Sequence, residues 1–168
     1  MNKLIKTFLL LTLFVFGGCA GYTSGFPYPE EVKTVYVEMF DSQSFRRGLE
    51  YDLTDALCKQ IEVQTPYKIV SERAIADSVI YGRIEQVNEL VLGTDTETGY
   101  AIQNEVNVSL TYSWKNLITG RMYANDMSIT ASAPYAMGSA DSQTRDYAGT
   151  VAVNKAAEKI VESMQIDW

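Results

Sequence analysis

The chain contains no histidine, and its 168 residues include only two cysteines and four prolines. The absence of histidine removes the usual general base of serine and cysteine hydrolases and the usual imidazole ligand of metal sites. No serine lies in a G-x-S-x-G sequence, and no glycine-rich phosphate loop is present. Glu85 with Glu89, or Asp95 with Glu97, could form a carboxylate pair, but solvated strand and loop charges explain them better. We therefore expect no enzymatic activity, no cofactor and no metal.

Basic residues are also scarce, because 14 lysines and arginines stand against 21 aspartates and glutamates, which gives a formal charge of −7. Nucleic-acid binding rests on the neutralisation of phosphates by basic residues, so a nucleic-acid partner is excluded. Lys115 and Arg121 flank a predicted hairpin turn and are the candidates for contact with an anionic lipid. Ordinary solvation at the ends of strands would also explain both.

The long apolar run that a membrane-spanning helix requires is missing, but a shorter one stands at the start of the chain. Lys3 and Lys6 precede the apolar segment 7–16, and two glycines then lead to Cys19. This order is typical of a secretory signal peptide, and a span would need about 20 apolar residues. We therefore predict a signal peptide over residues 1–18, whose removal with its two lysines would change the formal charge from −7 to −9.

Cys19 is the candidate lipidation site. A cysteine directly after small residues resembles a bacterial lipobox, in which the cysteine is acylated and becomes the first mature residue, although Phe16 departs from the usual aliphatic residue. Ala20 follows it, whereas an aspartate there would favour retention in the inner membrane. We therefore predict a lipid-anchored outer-membrane protein facing the periplasm; ordinary secretion with a chance cysteine is the alternative. Lipidation would leave Cys58 as the remaining thiol, so no intramolecular disulfide could form.

The remaining sequence predicts a lipidated tether over residues 19–31 and one α+β domain over residues 32–168. The tether contains two glycines and two prolines, and the domain alternates between periods of two and 3.6 residues. The pattern predicts strands over 32–40, 67–70, 78–92, 100–114 and 121–133, and helices over 49–64 and 143–164. We expect a two-layer sandwich, with two helices packed on one face of a mixed, mostly antiparallel sheet of four to five strands.

One predicted sheet face is polar but nearly uncharged, and we predict that it faces a partner. In the strand over 100–114 its members are Gln103, Glu105, Asn107, Ser109 and Thr111. In the next strand we assign Ala124, Asp126, Ser128, Thr130 and Ser132 to the matching face. Such a face forms hydrogen bonds with another polar surface without burying many charges. The alternative is an ordinary exposed sheet, where serine and threonine are common.

Several segments, in this order, resemble the lipopolysaccharide-assembly lipoprotein family LptE. They are Cys19–Tyr22, Val32–Val37, Arg47–Glu50, Leu53–Leu57, Thr65–Val70 and Ala76–Ile84. The resemblance implies an outer-membrane lipoprotein that sits inside the LptD barrel of the lipopolysaccharide translocon, as a plug and assembly factor. Some members are thought to contact lipopolysaccharide through basic residues, none of which can be assigned to a position here. The alternatives are a lipoprotein subunit of another secretion or envelope-structure complex, or a periplasmic carrier of a hydrophobic ligand.

The residues of these segments also have predicted structural roles. Gly48 should let the chain turn into the first helix, and Glu50 should lie in its first turn, where negative charge is favourable. Asp77 should close the turn before the next strand, and Gly82 should mark a strand bend or the close approach of another backbone.

Overall fold

The computed structural model describes residues 28–44, 47–94, 96–97, 101–136 and 145–165. These residues form six strands, two α-helices and a 3₁₀ helix at Arg73–Ile75. The strands are β1 (Thr34–Val37), β2 (Asp41–Ser42), β3 (Lys68–Ile69), β4 (Ser78–Thr94), β5 (Ala101–Asn116) and β6 (Met122–Ala136). The helices are α1 (Leu49–Gln64) and α2 (Arg145–Ser163).

The strands form one mixed sheet in the order β3-β1-β4-β5-β6, with β2 added beside β4 beyond the end of β1. β1 pairs in parallel with β3 and with β4, and β2 pairs in parallel with β4. The long β4–β5 and β5–β6 ladders are antiparallel. The predicted α+β class and mixed sheet are therefore confirmed. The two-residue strand β2 is additional, and it is too short to produce a sequence period.

Both helices lie on the same face of the sheet and contact each other along their apolar stripes. α1 begins after Gly48, whose φ of 104° is a left-handed conformation that favours glycine. The helix buries Leu49, Leu53, Leu57 and Ile61. α2 buries mainly small residues beside Val153, Ile160 and Val161, which allows the helices to approach closely. The sheet contributes the other side of the core, which includes five residues of β5: Val106, Val108, Leu110, Tyr112 and Trp114.

The β5–β6 ladder differs from the predicted pairing near its turn. Its register shifts between Tyr112 and Trp114, so Ala124 lies opposite Trp114 and is only 9% exposed. The assignment of Ala124 to the outward face was therefore wrong. The shift coincides with Asp126, whose φ is 47° and whose backbone N–H donates to Ser113 Oγ at 2.9 Å. A bulge of this kind inserts a residue, which reverses the in-and-out alternation beyond it.

Residues 28–31, which were predicted to belong to the tether, pack on the domain. Tyr28 is buried, and its hydroxyl donates to the backbone carbonyl of Gln64 at 3.2 Å. The Tyr123 hydroxyl donates to the Glu31 carboxylate at 2.5 Å. These contacts hold the start of the described chain beside the C-terminal end of α1 and the turn between β5 and β6.

Asp77 has a different role from the predicted closure of a local turn. Its Oδ2 accepts hydrogen bonds from the backbone N–H groups of Lys33 and Thr34, each at 2.9 Å. Its own N–H donates to Thr34 Oγ1 at 2.9 Å. Asp77 therefore fastens the start of β4 to the start of β1, which lies far away in the sequence.

Candidate partner-binding face

The sheet face opposite the helices carries the five residues that the sequence assigned to a partner. Gln103 is exposed, and Glu105, Asn107, Ser109 and Thr111 are partly exposed. They alternate with the buried residues of β5, because successive side chains of a strand point to opposite faces. The predicted placement of this group on one face is confirmed, while its role as a contact surface stays a prediction.

The antiparallel registers arrange this face in rows across β4, β5 and β6. One row is Asn88, Asn107 and Ser132, and the neighbouring row is Gln86, Ser109 and Thr130. Both rows consist of uncharged residues that can donate and accept hydrogen bonds. We call these six residues the polar rows. Gln86 and Asn88 were not predicted as site residues, although their alternation with Val87 was a sufficient signal.

The charged residues beside the polar rows already have partners. Arg83 Nε lies 2.6 Å from Glu85 Oε1, which also accepts a hydrogen bond from Thr111 Oγ1 at 2.8 Å. The hydrogen bonds from Arg83 and Thr111 lower the pKa of the Glu85 carboxyl below its ordinary value, and the one from Arg83 has the larger effect. On the other side, Ser132 Oγ donates to Glu105 Oε1 at 2.5 Å. The face therefore has neutral groups at its centre, an ion pair at one margin and a hydrogen-bonded carboxylate, Glu105, at the other.

Hydrogen bonds between side chains occupy only part of the capacity of the polar rows. The hydroxyls of Ser109 and Thr130 lie 3.4 Å apart. Within the described part of the chain, Asn107 makes no side-chain hydrogen bond, although it stands at the centre of its row. The amide of a partly exposed asparagine can provide two donors and one acceptor oxygen to an opposing surface. The arrangement suits recognition by hydrogen bonding.

Lys115 and Arg121 lie near the β5–β6 turn, away from the polar rows. Lys115 is half-buried and pairs with Met122 across the ladder. The Arg121 guanidinium lies 5.5 Å from the centre of the Tyr123 ring and 4.0 Å from the Glu31 carboxylate. The side chain of Arg121 nevertheless stays 70% exposed. Its predicted contact with an anionic lipid stays a prediction.

The predicted lipidation site Cys19 lies outside the described residues. Of the helices in the described ranges, neither α1 nor α2 combines the length and apolar character needed to cross a bilayer.

The family model described as LptE, lipopolysaccharide-assembly, matches residues 32–164, which include both helices and all six strands. The chain belongs to this family. The resemblance inferred from the sequence segments is therefore confirmed, and the function of this LptE-family chain lies in lipopolysaccharide assembly. A search of curated protein sequences finds no match to this chain.

Solved structures share the fold at low sequence identity. A subunit of the PelC dodecamer from Paraburkholderia phytofirmans is 12% identical, with 84% of this chain and 96% of that chain covered and a TM-score of 0.55. The protein CT253 from Chlamydia trachomatis is 11% identical, with 78% and 94% covered and a TM-score of 0.55. The rare lipoprotein B from Shewanella oneidensis is 15% identical, with 79% and 93% covered and a TM-score of 0.50. At these identities the likeness shows the fold alone.

Proposed function

We propose that this LptE-family chain is an outer-membrane lipoprotein, anchored through Cys19, whose periplasm-facing domain plugs a large β-barrel of the LptD type. It helps that barrel to assemble and supports the delivery of lipopolysaccharide to the outer leaflet. The chain acts by binding and carries out no chemical step. Family membership supports the role in lipopolysaccharide assembly, and the geometry of the sheet supports the plug.

The observation that carries the proposal is the chemistry of the polar rows. The lumen of a membrane barrel is polar, so a plug must replace the hydrogen bonds that lumen groups make to water. Uncharged amides and hydroxyls do this without the desolvation penalty of buried charges. Asn107 and Ser109 lie at the centre of this surface, with Asn88 and Thr130 beside them across the two ladders.

The apolar layer of the domain is occupied by its own side chains, which weighs against the carrier alternative. Leu53, Leu57, Leu110 and Ile160 are each 0% exposed between the helices and the sheet. A ligand bound in this layer would have to displace closely packed side chains. Direct contact with lipopolysaccharide through Lys115 and Arg121 is a separate hypothesis, because both residues lie near the β5–β6 turn and away from the polar rows.

The plug is tested by the double substitution Asn107→Arg and Ser109→Arg, which puts two long cations on the polar rows without touching the core. We expect a native circular dichroism spectrum but loss of co-purification with the barrel and a more permeable outer membrane. The matched control is Asn154→Arg with Gln64→Arg, which adds the same charge at exposed positions of the helices. Full retention of the barrel by the sheet variant would exclude this face as the contact. The helices or the loops would then be the contact with the barrel, whereas failure of the parent chain to co-purify with any barrel would favour a subunit of another envelope complex.

The anchor is tested separately by Cys19→Ser, which removes the nucleophile for acylation. We expect the variant to remain unlipidated and to lose its partition with outer membranes, because the acyl chains supply the binding energy. Metabolic labelling with a fatty acid and membrane fractionation measure the two effects. Normal maturation and fractionation of this variant would contradict the anchor and leave the sheet-face test unaffected.

A further inference from the structure

One end of the domain gathers the start of the described chain, the C-terminal ends of both helices and the β5–β6 turn. Tyr28 packs beside the end of α1, and the Gln165 amide, just beyond α2, donates to the Tyr28 hydroxyl at 3.4 Å. Glu31 accepts a hydrogen bond from Tyr123, which follows the turn. We call this end, formed by residues 28–33, 63–67, 75–77 and 116–121, the tether end.

The tether end exposes large apolar side chains from three separate segments. Val63 in the last turn of α1 is 82% exposed, Ile75 at the end of the 3₁₀ helix is 62% exposed, and Ile118 in the β5–β6 turn is 70% exposed. The last two segments are joined, because the Leu117 N–H donates to the Asp77 carbonyl at 2.7 Å. Apolar side chains that stand in water at one end of a domain indicate a contact surface.

The β5–β6 turn holds Ile118 in a fixed position. Asn116 Oδ1 accepts hydrogen bonds from the backbone N–H groups of Ile118 and Thr119 at 2.8 and 2.9 Å. Asn116 is itself buried, and its Nδ2 donates to the Tyr123 hydroxyl at 3.0 Å. Because these bonds fix the backbone of the turn, the isoleucine side chain protrudes from a braced structure and does not fold back onto the core.

An open, mainly apolar groove lies where the chain enters the domain, and cations lie near it. The groove has a volume of about 300 Å³. Lys33 is exposed at the groove, and Lys115 and the exposed Arg121 flank the turn that carries Ile118. Apolar side chains bordered by cations are typical of surfaces that bind anionic phospholipids. The residues that line the groove are Tyr28, Pro29, Glu30, Val32, Lys33 and Pro66.

We propose that the tether end rests on the phospholipid surface of the periplasmic leaflet, with Ile75 and Ile118 among the headgroups and Arg121 on a phosphate. The contact rests on the proposed anchor at Cys19. The chain from Cys19 to Tyr28 advances by nine residues and spans at most about 30 Å when extended. An anchored chain therefore keeps this end close to the leaflet, whereas nothing comparable would hold a second protein against it.

The tether end and the polar rows lie at different levels along the strands, so one domain can make both contacts. From Ser109 to Asn116, β5 advances by seven residues, which is about 23 Å. With the polar rows inside the lumen, the tether end lies at the periplasmic mouth of the barrel, through which an anchored chain must leave. The lipid contact itself requires no barrel, so it can be measured on the chain alone.

The test is the position of single labelled cysteines in the full lipidated chain on vesicles. Ile118→Cys and Ile75→Cys are each introduced with Cys58→Ala and labelled with a fluorophore whose emission depends on polarity. The vesicles contain phosphatidylethanolamine, a smaller share of phosphatidylglycerol and a lipid with a nitroxide on its headgroup, which quenches a fluorophore at the interface. At both positions we expect blue-shifted emission and roughly threefold stronger quenching than at the control position.

The control is Leu90→Cys in the same Cys58→Ala background, with folding of all variants checked by circular dichroism. Leu90 is also apolar and 49% exposed, but it lies about 40 Å along β4 from Ser78 at the tether end. Quenching at position 75 or 118 that is no stronger than at position 90, on a chain that floats with the vesicles, would overturn the contact and leave the anchor intact. Failure of the parent chain to float would refute the anchor, and the contact with it.

Discussion

Gly82 lies directly against the backbone carbonyl oxygen of Thr111. A Cβ atom added at Gly82 would stand 2.3 Å from that oxygen and 2.7 Å from the ring of Phe40. The Phe40 ring covers the glycine on the core side of β4 and is itself only 1% exposed. The predicted close approach of another backbone at Gly82 is thereby confirmed, and the missing side chain is what allows Phe40 to enter the core.

Gly82→Ala should therefore destabilise the domain by about 3 kcal/mol, because neither the Thr111 carbonyl nor the packed ring can move without strain. Urea denaturation followed by circular dichroism measures this loss. Gly48→Ala is the comparison, since a Cβ there meets nothing within 4 Å but the φ of 104° is unfavourable. We expect a cost of about 1 kcal/mol for that variant. Equal costs at the two positions would contradict the steric explanation.

Asp77 should make the stability of the domain depend on acidic pH. Hydrogen bonds from the backbone N–H groups of Lys33 and Thr34 lower the pKa of its carboxyl below the ordinary value, and the one from Lys33 has the larger effect. A carboxyl with a depressed pKa in the folded state contributes stability above its unfolded pKa, and the contribution disappears as the pH falls through the folded pKa. Asp77→Asn should cost about 1 kcal/mol at neutral pH, because it weakens a charge-assisted pair of hydrogen bonds.

The measurement for Asp77 is the free energy of unfolding of both proteins between neutral pH and about pH 2, across the ordinary range of carboxyl titration. The difference between the parent chain and Asp77→Asn should shrink toward the acidic end. Asp55→Asn is the control, because Asp55 is paired with Lys59 on the exposed surface of α1. Exposed ion pairs contribute little to the free energy of unfolding. A difference at position 77 that stays constant with pH would rule out the proposed charge assistance.

Cys58 should behave as a packing residue whose thiol reacts slowly with disulfides. It is half-buried against the core, and burial, followed by the charge of Asp55, raises the pKa of its thiol. Cys58→Ala should cost about 1 kcal/mol of stability and leave barrel binding unchanged. At neutral pH the thiol should react with a chromogenic disulfide more slowly than a cysteine placed at exposed Tyr51 in the Cys58→Ala background. Equal reactivity, or loss of binding by folded Cys58→Ala, would instead indicate a functional thiol.

The fold was predictable where long periodic segments decide the structure. The alternation from Gln103 to Thr111 and the helical stripe from Leu49 to Ile61 each repeat over several turns or pleats, and one buried face fixes their orientation. Ala124 was misassigned because the bulge at Asp126 inserts a residue that periodicity cannot detect. The contacts of Asp77 with Lys33 were equally inaccessible, since a local pattern contains no information about a partner more than 40 residues away.

The site was predictable in part. The polar face of β5 follows from alternation alone, and its continuation through Asn88 could have been found in the same way. The packing of residues 28–31 could not, because they resemble a tether in composition and acquire their position through long-range contacts, such as those of Tyr67 with Pro29 and Tyr123 with Glu31. Composition describes what a segment contains, whereas its packing depends on the surface that it meets.

The carboxylates Glu85 and Glu89 should be structural, and their joint replacement by glutamine tests the proposal that the chain acts by binding alone. Glu85 is held by Arg83 and Thr111 on the polar face, and Glu89 by Arg145 at the start of α2. A catalytic pair would need both carboxylates at one reacting centre, whereas these two belong to separate ion pairs. We expect the double variant to stay folded with little change in stability, as is usual for exposed ion pairs. Co-purification with the barrel and outer-membrane integrity should remain at the parent level.

The matched control is Arg83→Gln with Arg145→Gln, which breaks the same ion pairs by removing the basic partners. A severe functional defect of the carboxylate variant alone, in a folded and barrel-bound protein, would contradict the proposal, because both variants break the same two ion pairs but only the first removes the carboxylates.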